Sequence, residues 1–251
     1  MGFYEEIVSD YDSMTRFQER RQREISVLQQ WIERYHFRSA LDTACGTGLH
    51  AVILAQLGLD VVAADISEAM LQQARSHARE LNVSIPWVQS GMQDLSQKFD
   101  RHFDAVLCLG NSLPHLVTQA DLQAAIESFW RLLAPGGILV IQMLNYDRVL
   151  ELQERLVGIH REGTTEYIRF YDFLPECLRF NLLTVEWEAD KASRHRLSST
   201  ELYPYRKRDL EAALKKFEGM TAEYYGSMDF HPFAERESPN LVLAARKASR
   251  S

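Results

Sequence analysis

Three short stretches of this 251-residue chain place polar or glycine chemistry at the ends of apolar runs. In DTACGTG, Gly46 and Gly48 stand where a backbone turns tightly and approaches a ligand closely. In DVVAAD, a buried-looking run ends on Asp65, a carboxylate suited to accept hydrogen bonds from two ribose hydroxyls. In FDAVLCLGNSLPHL, the run from Ala105 to Leu109 breaks into Gly110, Asn111, Ser112, Pro114 and His115. An asparagine in such a turn exposes a donor and an acceptor together. The glycines and Asp65, on adjacent strand ends, point to a nucleoside-type ligand. GTGLHA also fits the GxGxxA form of the dinucleotide fingerprint, which leaves a nicotinamide cofactor and an oxidoreductase open. Asp42 and Cys45 inside that motif count against it, because such sites carry apolar residues there. A YxxxK string at Tyr203 to Lys207 contains Pro204, so it is not a mid-helix catalytic pair.

These strand ends must be brought to one edge of a sheet. Ile25, Val27, Leu28, Trp31 and Ile32 recur at helical spacing between Gln18 and Tyr35. SALDT, DVVAAD, IPWVQ, FDAVLCL and ILVIQML read as five strands. Between them lie the helical stretches LHAVILAQLG, SEAMLQQARSHARELN with Ser67 as N-cap, and QADLQAAIESFWRLLAPGG, ended by Pro135 and two glycines. This alternation predicts an α/β fold with a doubly wound, mostly parallel sheet. In such sheets ligands bind outside the carboxyl ends of the strands. After Asp147 the pattern changes to TEYIRFYDF, LRFNLLTVEWEAD and HRLSSTELYPY, rich in β-branched and aromatic residues. We read residues 1–35 as a helical lid, 36–147 as the ligand-binding core and 148–205 as an antiparallel insertion over the ligand face. Residues 206–251 supply a helix, KRDLEAALKKF, and strands around MTAEYYG and NLVLAAR that complete the sheet.

Composition narrows the class. Hydrophobic residues at 46% and charged residues at 25% are ordinary for a globular protein, and a formal charge of -7 gives no basic face for nucleic acid. Cys45, Cys108 and Cys177 are too few and too scattered for a disulfide framework or a zinc site. The first residues, MGFYEEIVSDYD, lack the pattern of a signal peptide, and no apolar run approaches the roughly 20 residues of a membrane span. The expectation is a cytoplasmic protein acting on a small molecule, with no metal, nucleic-acid or membrane partner. The oligomeric state is not legible.

LDTACGTG, Asp65 and LLAPGGILVI together resemble the class I S-adenosylmethionine-dependent methyltransferases, over roughly Tyr11 to Asp147. CLGNSLPHL and NYDRVL are similar to strings of the glycine N-methyltransferase group. The resemblance implies a seven-stranded Rossmann-like sheet, S-adenosyl-L-methionine as cofactor, and methyl transfer to a small molecule, N-directed in the first place. Asp42 and the backbone from Ala44 to Gly48, with Gly46 between, then hold the methionine end. Arg20 meets the cofactor carboxylate, with Arg21 and Arg23 as rivals, and Tyr11 closes the pocket. Ile66, Met70, Gly91, Met92 and Leu109 fall on the cofactor side. Gly91 replaces a polar residue often found there, which leaves adenine recognition to the Met92 backbone, Asp94 or water. His115 falls near the cofactor. Asn111 and Tyr146 orient the acceptor in an in-line displacement, and Tyr167, Phe170, Tyr171, Phe180 and Trp187 are candidates to line its side. O-methylation with His115 as general base and a non-catalytic cofactor-binding protein are the other readings.

In glycine-methylating relatives an arginine precedes the NYD string and pairs with the substrate carboxylate. Here that position is Leu144. Glycine is therefore expected to be a poor substrate, and the acceptor to be larger, less anionic, or held differently, with Arg169 or Arg179 as replacement cations.

Overall fold

The computed structural model describes residues 2–189 and 191–249. Two helices, α1 (Phe3–Thr15) and α2 (Phe17–Tyr35), precede β1 (Ser39–Thr43), α3 (Leu49–Gln56), β2 (Asp60–Asp65), α4 (Glu68–Glu80) and β3 (Trp87–Gln89). Then follow β4 (Phe103–Cys108), α5 (Gln119–Leu132), β5 (Leu133–Leu144) and α6 (Tyr146–Leu152). An antiparallel meander, β6 (Leu156–Glu162), β7 (Thr165–Phe173), β8 (Leu178–Glu188) and β9 (Lys191–Leu202), leads to α7 (Lys207–Leu214), β10 (Thr221–Tyr225) and β11 (Asn240–Arg246).

The main sheet has seven strands in the order β10-β11-β5-β4-β1-β2-β3, parallel except where β11 pairs antiparallel with β5 and β10. Its strands are apolar on both faces, as expected when helices cover both. Ala40, Val61, Ala63, Ala105, Leu107 and Val140 face α2, α3 and α4. Leu41, Val62, Val106, Leu139 and Ile141 face α5 and α7. Because β1 lies between β2 and β4, the chain reverses direction of winding there, and the switch point falls where DTACGTG and GNSLPH emerge.

The expected fold is present, with local differences. Ser67 caps α4 by accepting from the Met70 N–H at 3.3 Å. The helix expected to end at Pro135 and the two glycines stops at Leu132. Residues 133–137 instead open β5, where a register shift against β4 accommodates them. The separate sheet has four strands rather than three. β6 escapes the alternation rule because Gly158, His160 and Arg161 break its apolar rhythm. α1 and α2 are divided at Arg16, which takes a left-handed conformation at φ 56° without a glycine or proline to mark the break. Met14 and Ile7 of α1 pack on Met70, Tyr167 and Leu182, so α1 is clamped between α4 and the antiparallel sheet. Among the described residues, no helix is long and apolar enough to cross a membrane.

Candidate active site

The first loop after β1 is held by its neighbours. Cys45 N–H donates to Ala64 O at 2.9 Å, and Gly46 N–H donates to Asp65 Oδ2 at 2.8 Å. Gly48, at φ 85°, starts α3. A Cβ there would lie 2.9 Å from both Ala74 Cβ and Trp87 Cη2, so neither its conformation nor its space admits a side chain. Asp65 is not a solvated helix-start residue: it is 7% exposed, and its Oδ1 accepts from Ser67 N–H at 2.9 Å. Each carboxylate oxygen keeps a further lone pair. Burial raises its pKa against the opposing pull of these backbone donors.

Asp42 is an unsatisfied anion beside the glycine loop. It is 1% exposed, and neither carboxylate oxygen has a hydrogen-bond partner among the described residues. Burial pushes its carboxyl up to about 6. An orphan buried carboxylate beside a glycine loop is what a cationic ligand group would satisfy. Because the folded form binds this proton more tightly than the unfolded chain, its contribution to stability is lost as pH rises from about 4 through 6. Asp42→Asn is expected to flatten that fall in thermal melts between pH 4 and 8. It should stabilise the ligand-free protein above pH 7 by up to roughly 3 kcal/mol. An unchanged pH profile would show that Asp42 is solvated.

At the other side of the switch point, Asn111 takes φ 63°, a conformation asparagine tolerates. Its Oδ1 accepts from Leu144 N–H at 3.0 Å, and its Nδ2 donates to the Tyr146 hydroxyl at 3.0 Å. Tyr146 is fully buried and interacts in turn with the Tyr171 hydroxyl. His115 Nε2 lies 2.7 Å from the Tyr4 hydroxyl of α1, and burial lowers its imidazole to about 4.

Between these groups lies a cavity of about 850 Å³, within the size range of small-molecule sites. Tyr11, Arg20, Leu109, Asn111, His115, Arg169 and Tyr171 line it, as do Leu144 and Phe180. A narrow recess of about 30 Å³ continues it to Ala44 and Gly46. Arg20 lines both and pairs with Glu24 at 2.9 Å. Arg21 turns away to Gln56, and Arg23 stays 74% exposed at the rim. Glu24 also meets His50 Nε2 at 2.9 Å. Hydrogen bonds from His50 and Arg20 outweigh burial and hold the Glu24 carboxyl at about 2. Sequence reasoning missed Glu24, His50 and Tyr4. The one available signal was His50, two residues beyond Gly48.

Several expected site residues lie elsewhere. Arg179 is exposed on the outer face, because strand side chains alternate and its neighbour Phe180 takes the cavity side. Tyr167 packs against α1, while Phe170 and Trp187 do not line the cavity. Met70 is a packing residue beneath α1 and not a cavity residue. The Met92 side chain is in the core, and its Sδ lies 3.8 Å from Cys108 Sγ, which leaves its backbone. Ile66 is 69% exposed, and a Cβ on Gly91 would come 3.8 Å from its Cδ1, so these two meet at the surface. Among the described residues, no group of three His, Cys, Asp or Glu side chains could hold a metal ion.

α1 lies over the ends of β1 and β2. Asp12 accepts from Thr47 Oγ1 at 2.7 Å and from Gln73 Nε2 at 3.0 Å, and sits 3.0 Å from His77 Nε2. Asp12→Ala removes all three contacts. It should speed amide exchange over residues 3–15 about tenfold or more. Unchanged exchange would assign the closure of α1 to apolar packing alone.

A methyltransferase domain model matches residues 40–137. The chain is 34% identical over 149 residues to the glycine/sarcosine N-methyltransferase of Parasynechococcus marenigrum, covering 59% of this chain and 53% of that protein. It thus spans about half the length of that relative. It is 30% identical over 216 residues to the glycine N-methyltransferase of Mus musculus, covering 82% of this chain and 67% of that protein. An S-adenosylmethionine-dependent methyltransferase of Clostridium acetobutylicum superposes with a TM-score of 0.81 at 16% identity, over 98% of this chain and 100% of its own. A sugar N-methyltransferase of Streptoalloteichus superposes at 0.71 with 25% identity, over 92% of this chain and 91% of its own. The chain belongs to the class I S-adenosylmethionine-dependent methyltransferases, near the glycine N-methyltransferase group.

Proposed function

We propose that this protein transfers a methyl group from S-adenosylmethionine to the nitrogen of a small-molecule acceptor. The observation that carries the reading is the juncture of the two sides. Asn111, hydrogen-bonded to the fully buried Tyr146, lines a cavity large enough for an acceptor, and its neighbours Leu109 and Gly110 line both that cavity and the glycine-loop recess. The residues present fit the donor. Arg20 lines the recess and is placed for the carboxylate, the spare lone pairs of Asp65 suit the ribose hydroxyls, and Asp42, buried at the base of the glycine loop, supplies negative charge for the methionyl ammonium. When bound, the donor supplies a methyl on a sulfonium, already activated toward displacement.

The chain's own work is positioning and exclusion of water. The amide of Asn111, fixed by Leu144 N–H and Tyr146, can accept a hydrogen of a neutral amine and leave its lone pair free. A strong base is not required for that step. His115 is poorly suited to deprotonate an alcohol, since burial keeps its basicity low and Tyr4 occupies its Nε2. This favours nitrogen over oxygen as the acceptor atom. Residues 148–205 form the acceptor-side cover, and the reading places the enzyme in the cytoplasm.

Thermal shift tests the donor half of the reading. S-adenosylmethionine and S-adenosylhomocysteine should each raise the Tm, whereas NAD should not. A rise with NAD alone would replace this reading with the oxidoreductase.

A further inference from the structure

We propose that Arg169 is the specificity-determining residue of the acceptor site: it receives a carboxylate carried by the acceptor at the end away from the reacting nitrogen. This deepens the function proposed above and rests on it.

Arg169 is a built cation without a counterion. It lies on β7, on the face that also carries Tyr167 and Tyr171, and it lines the cavity. Its Nε is buried with no hydrogen-bond partner, and among the described residues no carboxylate pairs with it. Burial lowers its pKa most; Tyr171 is its strongest neighbour and opposes this, while Arg16 and Arg20 add like charge. Desolvation and this like-charge field both work against a guanidinium here, and an anion in the cavity relieves both.

The neighbouring strand leaves room for it. Gly158 of β6 pairs directly with Arg169. A Cβ at Gly158 would come within 3.1 Å of Arg169 Nη2, tighter than ordinary contact. The guanidinium therefore occupies the space where a side chain at position 158 would begin.

Two observations assign the anion to the acceptor and not to the donor. Arg20, not Arg169, lines the recess against the glycine loop. Arg169 is near Arg20 and Tyr11 of that recess but interacts most with Tyr171, which interacts with Tyr146 and through it reaches Asn111. Leu144, Phe180 and Leu202 also line the cavity and suit an apolar spacer. The ligand class that fits is an amine with its carboxylate separated from the nitrogen by an apolar spacer. The main-sheet position Leu144 needs no cation if the insertion supplies one.

The test is calorimetric titration of the S-adenosylhomocysteine-loaded protein with two pairs: para-aminomethylbenzoate against para-aminomethylbenzamide, and glycine against glycinamide. The expected result is that para-aminomethylbenzoate binds about tenfold or more tighter than its amide. Arg169→Gln should abolish that preference, Arg169→Lys should retain part of it, and Gly158→Ala should weaken it without removing the charge. All three variants should keep the Kd for S-adenosylhomocysteine within about twofold, since charge-assisted contacts to that ligand are untouched. Equal binding of acid and amide, a preference that survives Arg169→Gln, or no binding of either benzoate probe would overturn the proposal. So would a loss confined to S-adenosylhomocysteine affinity, which would make Arg169 a donor residue. If Arg169-dependent carboxylate binding is found but no amine is methylated, the anion site stands and the methyl-transfer reading fails.

Discussion

Asn111→Ala is expected to lower kcat about 100-fold while changing donor Kd less than about twofold, the signature of a lost positioning contact. The amide lines the cavity beside Gly110, carries both a donor and an acceptor, and its orientation is fixed from two sides. Alanine removes both contacts and leaves Leu144 N–H without its acceptor. Position 111 is also left-handed, so alanine adds backbone strain of about 1–2 kcal/mol. Asn111→Gly separates the two effects, because glycine accepts that conformation freely. Both variants should lose turnover alike, and the glycine variant should keep a Tm closer to the wild type. Restored turnover in Asn111→Gly would reduce Asn111 to a turn residue.

The second large effect is expected at Asp65. Asp65→Asn should weaken S-adenosylmethionine and S-adenosylhomocysteine about 100-fold alike, the loss of two charge-assisted contacts at about 1.5–3 kcal/mol each being ample. The structure adds a second reason. The two oxygens accept from Gly46 and Ser67, so an asparagine NH₂ must face one of these N–H groups, and the glycine loop shifts with it. Calorimetry of both ligands checks this. Unchanged affinity in a folded variant would restrict Asp65 to bracing the loop.

Much of this architecture was legible because it is written in local patterns. Continuous apolar runs marked the doubly covered strands, Ser67 marked the start of α4, and the glycines marked the loop after β1. What was not legible depends on neighbours distant in sequence. The pairing of Glu24 with His50 joins α2 to α3, and the contact between Tyr4 and His115 crosses from the first helix to the loop after β4. Arg169 and Arg179 were equivalent candidates in the sequence. They differ because strand registry places Arg169 opposite Gly158, whereas Arg179 pairs with Asp172 and Glu201 on the exposed face. The boundary at Leu132 lies earlier than Pro135 and the two glycines suggest, because Leu133 already pairs with Phe103 of β4 and residues 134–137 fill the register shift that follows.

Methyl transfer from S-adenosylmethionine carrying a deuterated methyl group tests the central claim most directly. The protein is incubated with para-aminomethylbenzoate in one vessel and para-hydroxymethylbenzoate, its alcohol counterpart, in another, and the products are read by mass spectrometry. The account predicts a trideuteromethyl group on the amine nitrogen and none on the alcohol. Label on the alcohol oxygen, or label retained wholly on the donor in both vessels, would contradict it.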